Sequence, residues 1–179
     1  MTLVTEQNVW IREAQKGNEL AAYNLYQSYS KAMYNSLIRM VRDEDIAKDL
    51  LQEAFIKAFN NLEKLTEIKA FGGWLKRIVV NTGLEYIRKK KYVFEDIDEV
   101  SIDLEDEPFE ECDVIAIHNA IKELPDGCRT VLSLHIFEGY KHFEIADQLG
   151  ISESTSKTQF RHAKQLLKKK LTHIYEEGY

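Results

Sequence analysis

The stretch from His142 to Lys170 admits few folds. HFEIADQL reads as a short amphipathic helix with Phe143, Ile145, Ala146 and Leu149 as its apolar positions. Gly150 follows where that helix must stop, because glycine accepts the left-handed backbone that other residues resist. Ser152 is a good N-cap, and STSKTQFRHAKQLLKKKL then runs helically. Ala146 and Gly150 are small where the two helices of a helix-turn-helix cross closely. The second helix carries Lys157, Arg161, Lys164, Lys168, Lys169 and Lys170 against one acid, Glu153. An α-helix fits the major groove, and short polar side chains near its N-terminus reach base edges. Ser154, Thr155, Lys157, Thr158 and Arg161 occupy those positions. The charges alone fit an ordinary basic surface helix; the small residues, glycine turn and cap favour DNA.

Long runs of helical period, with only 2 Pro and 8 Gly in 179 residues, predict an all-α protein. The length suits one domain or two small ones. The N-terminus lacks a basic-then-apolar signal, and no apolar run is long enough to cross a membrane. The expectation is a soluble cytoplasmic protein without direct membrane insertion. Cys112 and Cys128 form no CxxC pair and read as reduced thiols in such a chain.

A formal net charge of −6 sits badly with a DNA binder until its distribution is read. Tyr92 to Asp113 holds 11 acids and no Lys or Arg, and without it the chain carries +5. Low hydrophobicity and self-repulsion make 92–113 an extended acidic linker. Its 22 residues reach roughly 70 Å at full stretch. Residues 1–91 and 114–179 become two small helical domains, the second containing the helix-turn-helix.

The first domain opens with a short amphipathic helix, Thr5 to Lys16, with Val9, Trp10 and Ala14 apolar and Gly17 ending it. Asn18 caps a helix to about Val41. Its Leu20, Tyr23, Leu25, Tyr26, Tyr29, Met33, Tyr34, Leu37, Ile38 and Met40 read as core. Asp45 to Leu62 is more informative. Ala47, Leu50, Leu51, Ala54, Phe55, Ala58 and Leu62 make one apolar stripe. Asp49, Gln52, Glu53 and Ile56 fall opposite, within about a quarter of the circumference at ~100° per residue. An isoleucine ringed by polar groups suits a protein-binding face, but a solvated face with one stray apolar residue is equally common.

Phe71 to Lys91 interleaves Trp74, Leu75, Ile78, Val79, Val80, Leu84, Tyr86 and Ile87 with Lys76, Arg77 and Asn81, and ends in Arg88, Lys89, Lys90 and Lys91. Aromatic rings beside cations suit unpaired bases and their phosphates, and an asparagine amide can hydrogen-bond a base edge. A buried helix with a basic C-terminal turn is the competing reading. It is the better one for Leu75, Ile78, Val79 and Leu84. Downstream, helix restarts at Asp113 to Glu123, Pro125 suits the first turn of another to about Phe137, and Gly139 breaks before the helix-turn-helix.

DLLQEAFIKAF, FGGWLKRIVVNTGLEYIRKKK and LPDGCRTVLSLHIFEGYKHFEIADQLGISESTSKTQFRHAKQLLKK, in this order across an acidic linker, resemble the alternative sigma factors of bacterial RNA polymerase. The size and two-part layout look like the extracytoplasmic-function group, over residues from about 10 to 171. The resemblance implies that Asp49, Gln52 and Glu53, around Ile56, dock on a coiled coil of the polymerase's largest subunit. It implies that Trp74, Lys76, Arg77, Asn81 and the run Arg88, Lys89 and Lys90 open and read the minus-ten element. Asn81 would lie near a base flipped from the non-template strand. Thr155, Lys157, Thr158, Arg161 and His162, with Ser154 beside them, would read the minus-35 element. Core polymerase, promoter DNA and an anti-sigma factor are the implied partners. The implied linker enters the polymerase near its RNA path.

The sequence also departs from the family pattern. Ser156 stands where an apolar core residue is usual, Gln159 replaces a frequent Arg, and Lys141 replaces a Ser cap. These departures bear on minus-35 base preference. Gly72 and Gly73 would loosen the start of the melting helix.

Two other classes compete. A two-domain helix-turn-helix regulator acting without polymerase explains His142–Lys170 but neither earlier stretch. A metalloenzyme would have to use Cys112, His118, Cys128 and His135, whose spacings fit no HExxH or CxxC pattern. No catalytic residue, metal or cofactor is therefore expected.

Overall fold

In the computed structural model, residues 2–90 and 114–176 are described, and among them every regular element is helical. They divide into two compact units, separating near residues 89 and 90. The expected acidic linker, 92–113, lies outside the described residues.

The first unit holds α1 (Thr2–Gln15), α2 (Glu19–Val41), α3 (Glu44–Asn60) and α4 (Phe71–Lys90). Gly17 ends the link after α1 with φ +88, a value few side chains tolerate. Asn18 then caps α2, its Oδ1 accepting the Ala21 N–H at 3.0 Å. The third helix starts one residue earlier than its apolar pattern suggests. Asp43 Oδ1 accepts the N–H groups of Asp45 and Ile46, both at 3.0 Å, and so fixes the start. Two short 3₁₀ turns, Leu62–Lys64 and Ile68–Ala70, lead to α4. Gln15 Nε2 ties α1 to that connection by donating to the Leu62 and Leu65 carbonyls at 3.0 Å each.

The core is built from the α3 stripe of Ala47, Leu50, Leu51, Ala54, Phe55 and Ala58, against Leu25, Leu37 and Met40 of α2 and Leu75, Val79, Leu84 and Ile87 of α4. Edge-on aromatic pairs join the helices: Tyr26 with Phe55 at 4.8 Å and Tyr29 with Phe71 at 5.2 Å between centroids. Two α2 residues expected in the core are outside it. Leu20 is 68% and Tyr23 57% exposed. Apolar residues surround α2 too broadly for the helical period alone to say which stripe packs. Gly83 is a close approach without a sequence signature. A Cβ there would sit 3.1 Å from Leu37 Cδ2 and from Met40 Cε.

The second unit holds α5 (Val114–Lys122), α6 (Asp126–Leu132), α7 (His142–Leu149) and α8 (Glu153–Glu176). Pro125 precedes the first turn of α6 rather than entering it. The helix continues from α6 through one wider π turn, Ser133–Phe137. Gly139, with φ +78, then breaks the chain as expected. Ile121, Leu124, Cys128, Leu132 and Ala163 form the buried centre, flanked by Ile117, Phe160, Leu166 and Leu167. Arg129 is buried among them at 1% exposure. Its Nη1 donates to the Leu124 carbonyl at 2.8 Å and its Nη2 to Asp126 Oδ1 at 2.5 Å.

Candidate protein and nucleic-acid interfaces

The packing of α3 leaves Asp49, Gln52, Glu53 and Ile56 exposed together, with Ile56 61% exposed. Because the opposite stripe is buried, this face is held rigidly toward solvent. Lys57, on its edge, bonds Glu53 at 2.8 Å and Glu85 of α4 at 3.0 Å. Hydrogen bonding to Glu53 raises the Lys57 pKa above the ordinary lysine value. The amine thus stays charged and fixes the Glu53 carboxylate beside Ile56.

Along α4, Trp74, Arg77, Asn81 and Arg88 fall within about 60° of one another at ~100° per residue. Arg77, Asn81 and Arg88 are exposed, and Trp74 is half-buried with its ring 6.0 Å from Phe71. Lys89 and Lys90 are exposed at the end of the helix. Lys76 is not brought to this stripe. It lies about 160° round from Trp74 by the same rule and is half-buried. Leu75, Val79 and Leu84 are buried, while Ile78 is only half-buried. At the start of α4 the two glycines differ. A Cβ on Gly72 would touch Tyr29 Cε1 at 3.4 Å, whereas Gly73 faces open space.

In the second unit α7, Gly150 and α8 form the expected helix-turn-helix. Gly150 has φ +68, but a Cβ there would meet nothing within 4 Å. Its need is therefore conformational; the close crossing expected at this position is not found. Ser152 Oγ accepts the Thr155 N–H at 2.9 Å and also bonds the Ser154 and Thr155 hydroxyls at 2.7 and 2.8 Å. Such a cap contributes about 1 kcal/mol, and here it orders Ser154 and Thr155 in the first turn of α8. Ser154, Thr155, Lys157, Thr158, Arg161 and His162 occupy one side of α8, all exposed or half-exposed. Lys157 pairs with Glu153 at 2.6 Å, and its ammonium holds the Glu153 carboxyl below the usual range. An exposed pair of this kind is weak, so Lys157 can exchange Glu153 for a phosphate. His162 leans inward, its Nδ1 3.6 Å from Cys128 Sγ.

The three departures take on structural meanings. Gln159 is 2% exposed, and its Oε1 accepts from Cys128 Sγ at 3.0 Å. It packs inside the unit, so it does not face a groove or bear directly on base preference. Ser156 is fully buried, with its hydroxyl 2.9 Å from His142 Nδ1. Lys141 offers no side-chain cap, but Glu144 Oε2 accepts its backbone N–H at 2.7 Å and closes the same helix end. The buried Arg129, the His142–Ser156 bond and the Cys128–Gln159 bond were not foreseen, because a polar residue in the interior carries no periodic signal.

Among the described residues no helix is long and apolar enough to cross a membrane, and no cluster of three metal-ligating side chains occurs. Of the four candidate ligands, Cys112 lies outside the described residues, and two others bond within the unit. His135 Nδ1 lies 2.8 Å from the Tyr140 carbonyl, and Cys128 bonds Gln159.

Comparison with known proteins places the chain in a family. The sigma-70 region 2 model matches residues 25–92 and the sigma-70 region 4 model residues 115–167. The ECF RNA polymerase sigma factor SigW of Bacillus subtilis is 30% identical, over 90% of this chain and 94% of its own. The RNA polymerase sigma factor SigZ of the same organism is 29% identical, over 87% and 92%. In fold, the chain is similar to the sigma factor RpoE in complex with the anti-sigma factor NepR from Bartonella quintana. That match has a TM-score of 0.51 and 21% identity, over 83% of this chain and 97% of the other. With both regions present in order, and a relative of this similarity along nearly its whole length, the chain belongs to the sigma-70 family, in its extracytoplasmic-function group.

Proposed function

We propose that this protein is an alternative sigma factor that binds core RNA polymerase and directs promoter recognition, DNA melting and transcription initiation. The exposed α3 face of Asp49, Gln52, Glu53 and Ile56 docks on the polymerase. The α4 stripe of Trp74, Arg77 and Asn81, with Arg88, Lys89 and Lys90, takes the melted minus-ten strand. Lys76, on another side of α4, is not part of this stripe. The α8 side formed by Ser154, Thr155, Lys157, Thr158, Arg161 and His162 enters the minus-35 major groove. One observation carries this reading: three exposed faces on three helices, two suited to nucleic acid and one to protein, in the family's order. A regulator acting on duplex DNA alone leaves the α3 face without a purpose.

The protein performs no chemistry of its own in this account, and nucleotide addition belongs to the polymerase. Separate cationic contacts are salt-sensitive and weak. Tethering both DNA faces to one polymerase raises their effective concentration. An anti-sigma factor is the proposed restraint on the free protein, and the cytoplasm the place of action.

The test is promoter opening by holoenzyme carrying Trp74→Ala with Asn81→Ala. Permanganate reactivity of unpaired thymines near minus-ten should fall by about tenfold or more, the scale of one lost stacked base. Protection of the minus-35 duplex should persist. Unchanged thymine reactivity would remove this stripe from strand opening.

A further inference from the structure

His135 and His142 stack at the base of the helix-turn-helix. Their ring centroids are 4.5 Å apart and their planes 17° from parallel. Both set their rings against Phe160 of α8, at 4.7 and 5.5 Å. His135 comes from the π turn after α6, and its Nδ1 is occupied by the Tyr140 carbonyl. His142 opens α7, and its Nδ1 meets Ser156 Oγ at 2.9 Å. Ser156 lies on α8 between Thr155 and Lys157, directly behind the face assigned to DNA, and is fully buried. The imidazole is the side-chain partner recorded for this buried hydroxyl.

We propose that His142 is a positioning residue for the recognition helix, fixing α8 through Ser156 while its ring is neutral and releasing it when acid charges that ring. This rests on the reading of α8 as the minus-35 helix. The stack supplies the reason. Two imidazoles at this separation cannot both charge without repulsion, and a charged ring is drawn toward solvent. If His142 turns outward, Ser156 loses its partner and α8 loses one polar link to α7.

The groups facing His142 are His135 from the π turn, and Glu153 and Lys157 from α8; Lys141 and Glu144 are its neighbours along the chain. Burial chiefly lowers its pKa from the ordinary 6.5, His135 and Lys157 add to this, and Glu153 opposes it. The unfolded chain therefore takes up the proton first. The contribution to stability is complete above about 6.5 and is lost as pH falls below that value.

Two measurements test the proposal. In the full chain, the His142 ring is titrated by NMR together with the backbone amides of Thr155, Ser156 and Lys157. The amides should follow the His142 curve, with its midpoint below the ordinary histidine value. An ordinary midpoint with silent amides would overturn the proposal, and no variant needs to fold for this result. The second uses holoenzyme with a minus-35 duplex at about pH 7.5 and about pH 5.5, comparing wild type with His142→Asn. Asparagine keeps a polar atom near the Nδ1 position but does not titrate. Any other effect of pH on the phosphate contacts is shared by both proteins, so the variant is the baseline. The wild-type affinity relative to the variant should drop severalfold at the lower pH. An unchanged ratio would make His142 merely structural and overturn the proposal. Failure of wild-type holoenzyme to bind the duplex at the higher pH would instead defeat the minus-35 assignment, leaving the NMR titration to decide the coupling.

Discussion

Asp49→Ala combined with Glu53→Ala is expected to weaken binding to core polymerase by about 2 kcal/mol or more, roughly thirtyfold in Kd. The two carboxylates flank Ile56, whose 61% exposure makes it the apolar centre of the face. Charged groups around such a centre exclude water and set register on the partner. The fold should not register the change. Both side chains are exposed, and alanine favours helix more than either acid. Lys57 loses Glu53 but keeps Glu85 at 3.0 Å, so the link from α3 to α4 survives. Far-UV circular dichroism and melting of the first unit should therefore match wild type. Binding by surface-immobilised core polymerase is the measurement, and an unaltered Kd would remove this face from the account.

Asp126→Ala should produce the largest loss of stability, about 3 kcal/mol, confined to the second unit. The cause is Arg129, whose guanidinium is buried while its only ion-pair partner among the described residues is Asp126 at 2.5 Å. Taking a charge out of water is tolerable only when it is paired. Without Asp126, the guanidinium keeps the Leu124 carbonyl at 2.8 Å but no opposing charge. For a unit of this size, 3 kcal/mol corresponds to roughly 15 °C in melting temperature. Both tryptophans of the chain, Trp10 and Trp74, belong to the first unit. Their fluorescence should melt as in wild type while amide exchange over 126–170 accelerates. Protection in the second unit equal to wild type would show that Arg129 does not depend on this pair.

How far the sequence foretold this architecture depends on which kind of signal each element carries. Helix ends were legible because capping is local chemistry. Asn18, Ser152, Gly17, Gly139 and Gly150 mark them by residue type, and each acts at its predicted place. The α3 face was legible because one apolar residue breaks an otherwise polar arc. Burial in α2 was not, since Leu20 and Tyr23 share the apolar character of Leu25 and Tyr26 and only the tertiary neighbours decide between them. Polar interiors were also hidden. Ser156 stands at a core position and Gln159 replaces a frequent Arg, but neither residue type announces the bonds that His142 and Cys128 make to them. The resemblance groups Lys76 with Arg77, although neighbours in a helix point about 100° apart. The roles of these residues in binding came from the resemblance to a family, not from spacing.

Run-off transcription with core polymerase from the source bacterium, using fragmented genomic DNA with and without this protein, tests the central claim most directly. The account predicts discrete new 5′ ends that appear only when the protein is added, with two shared elements in the DNA upstream of them. The absence of new transcripts, together with no binding to core polymerase, would contradict it and leave a regulator that acts on DNA without polymerase.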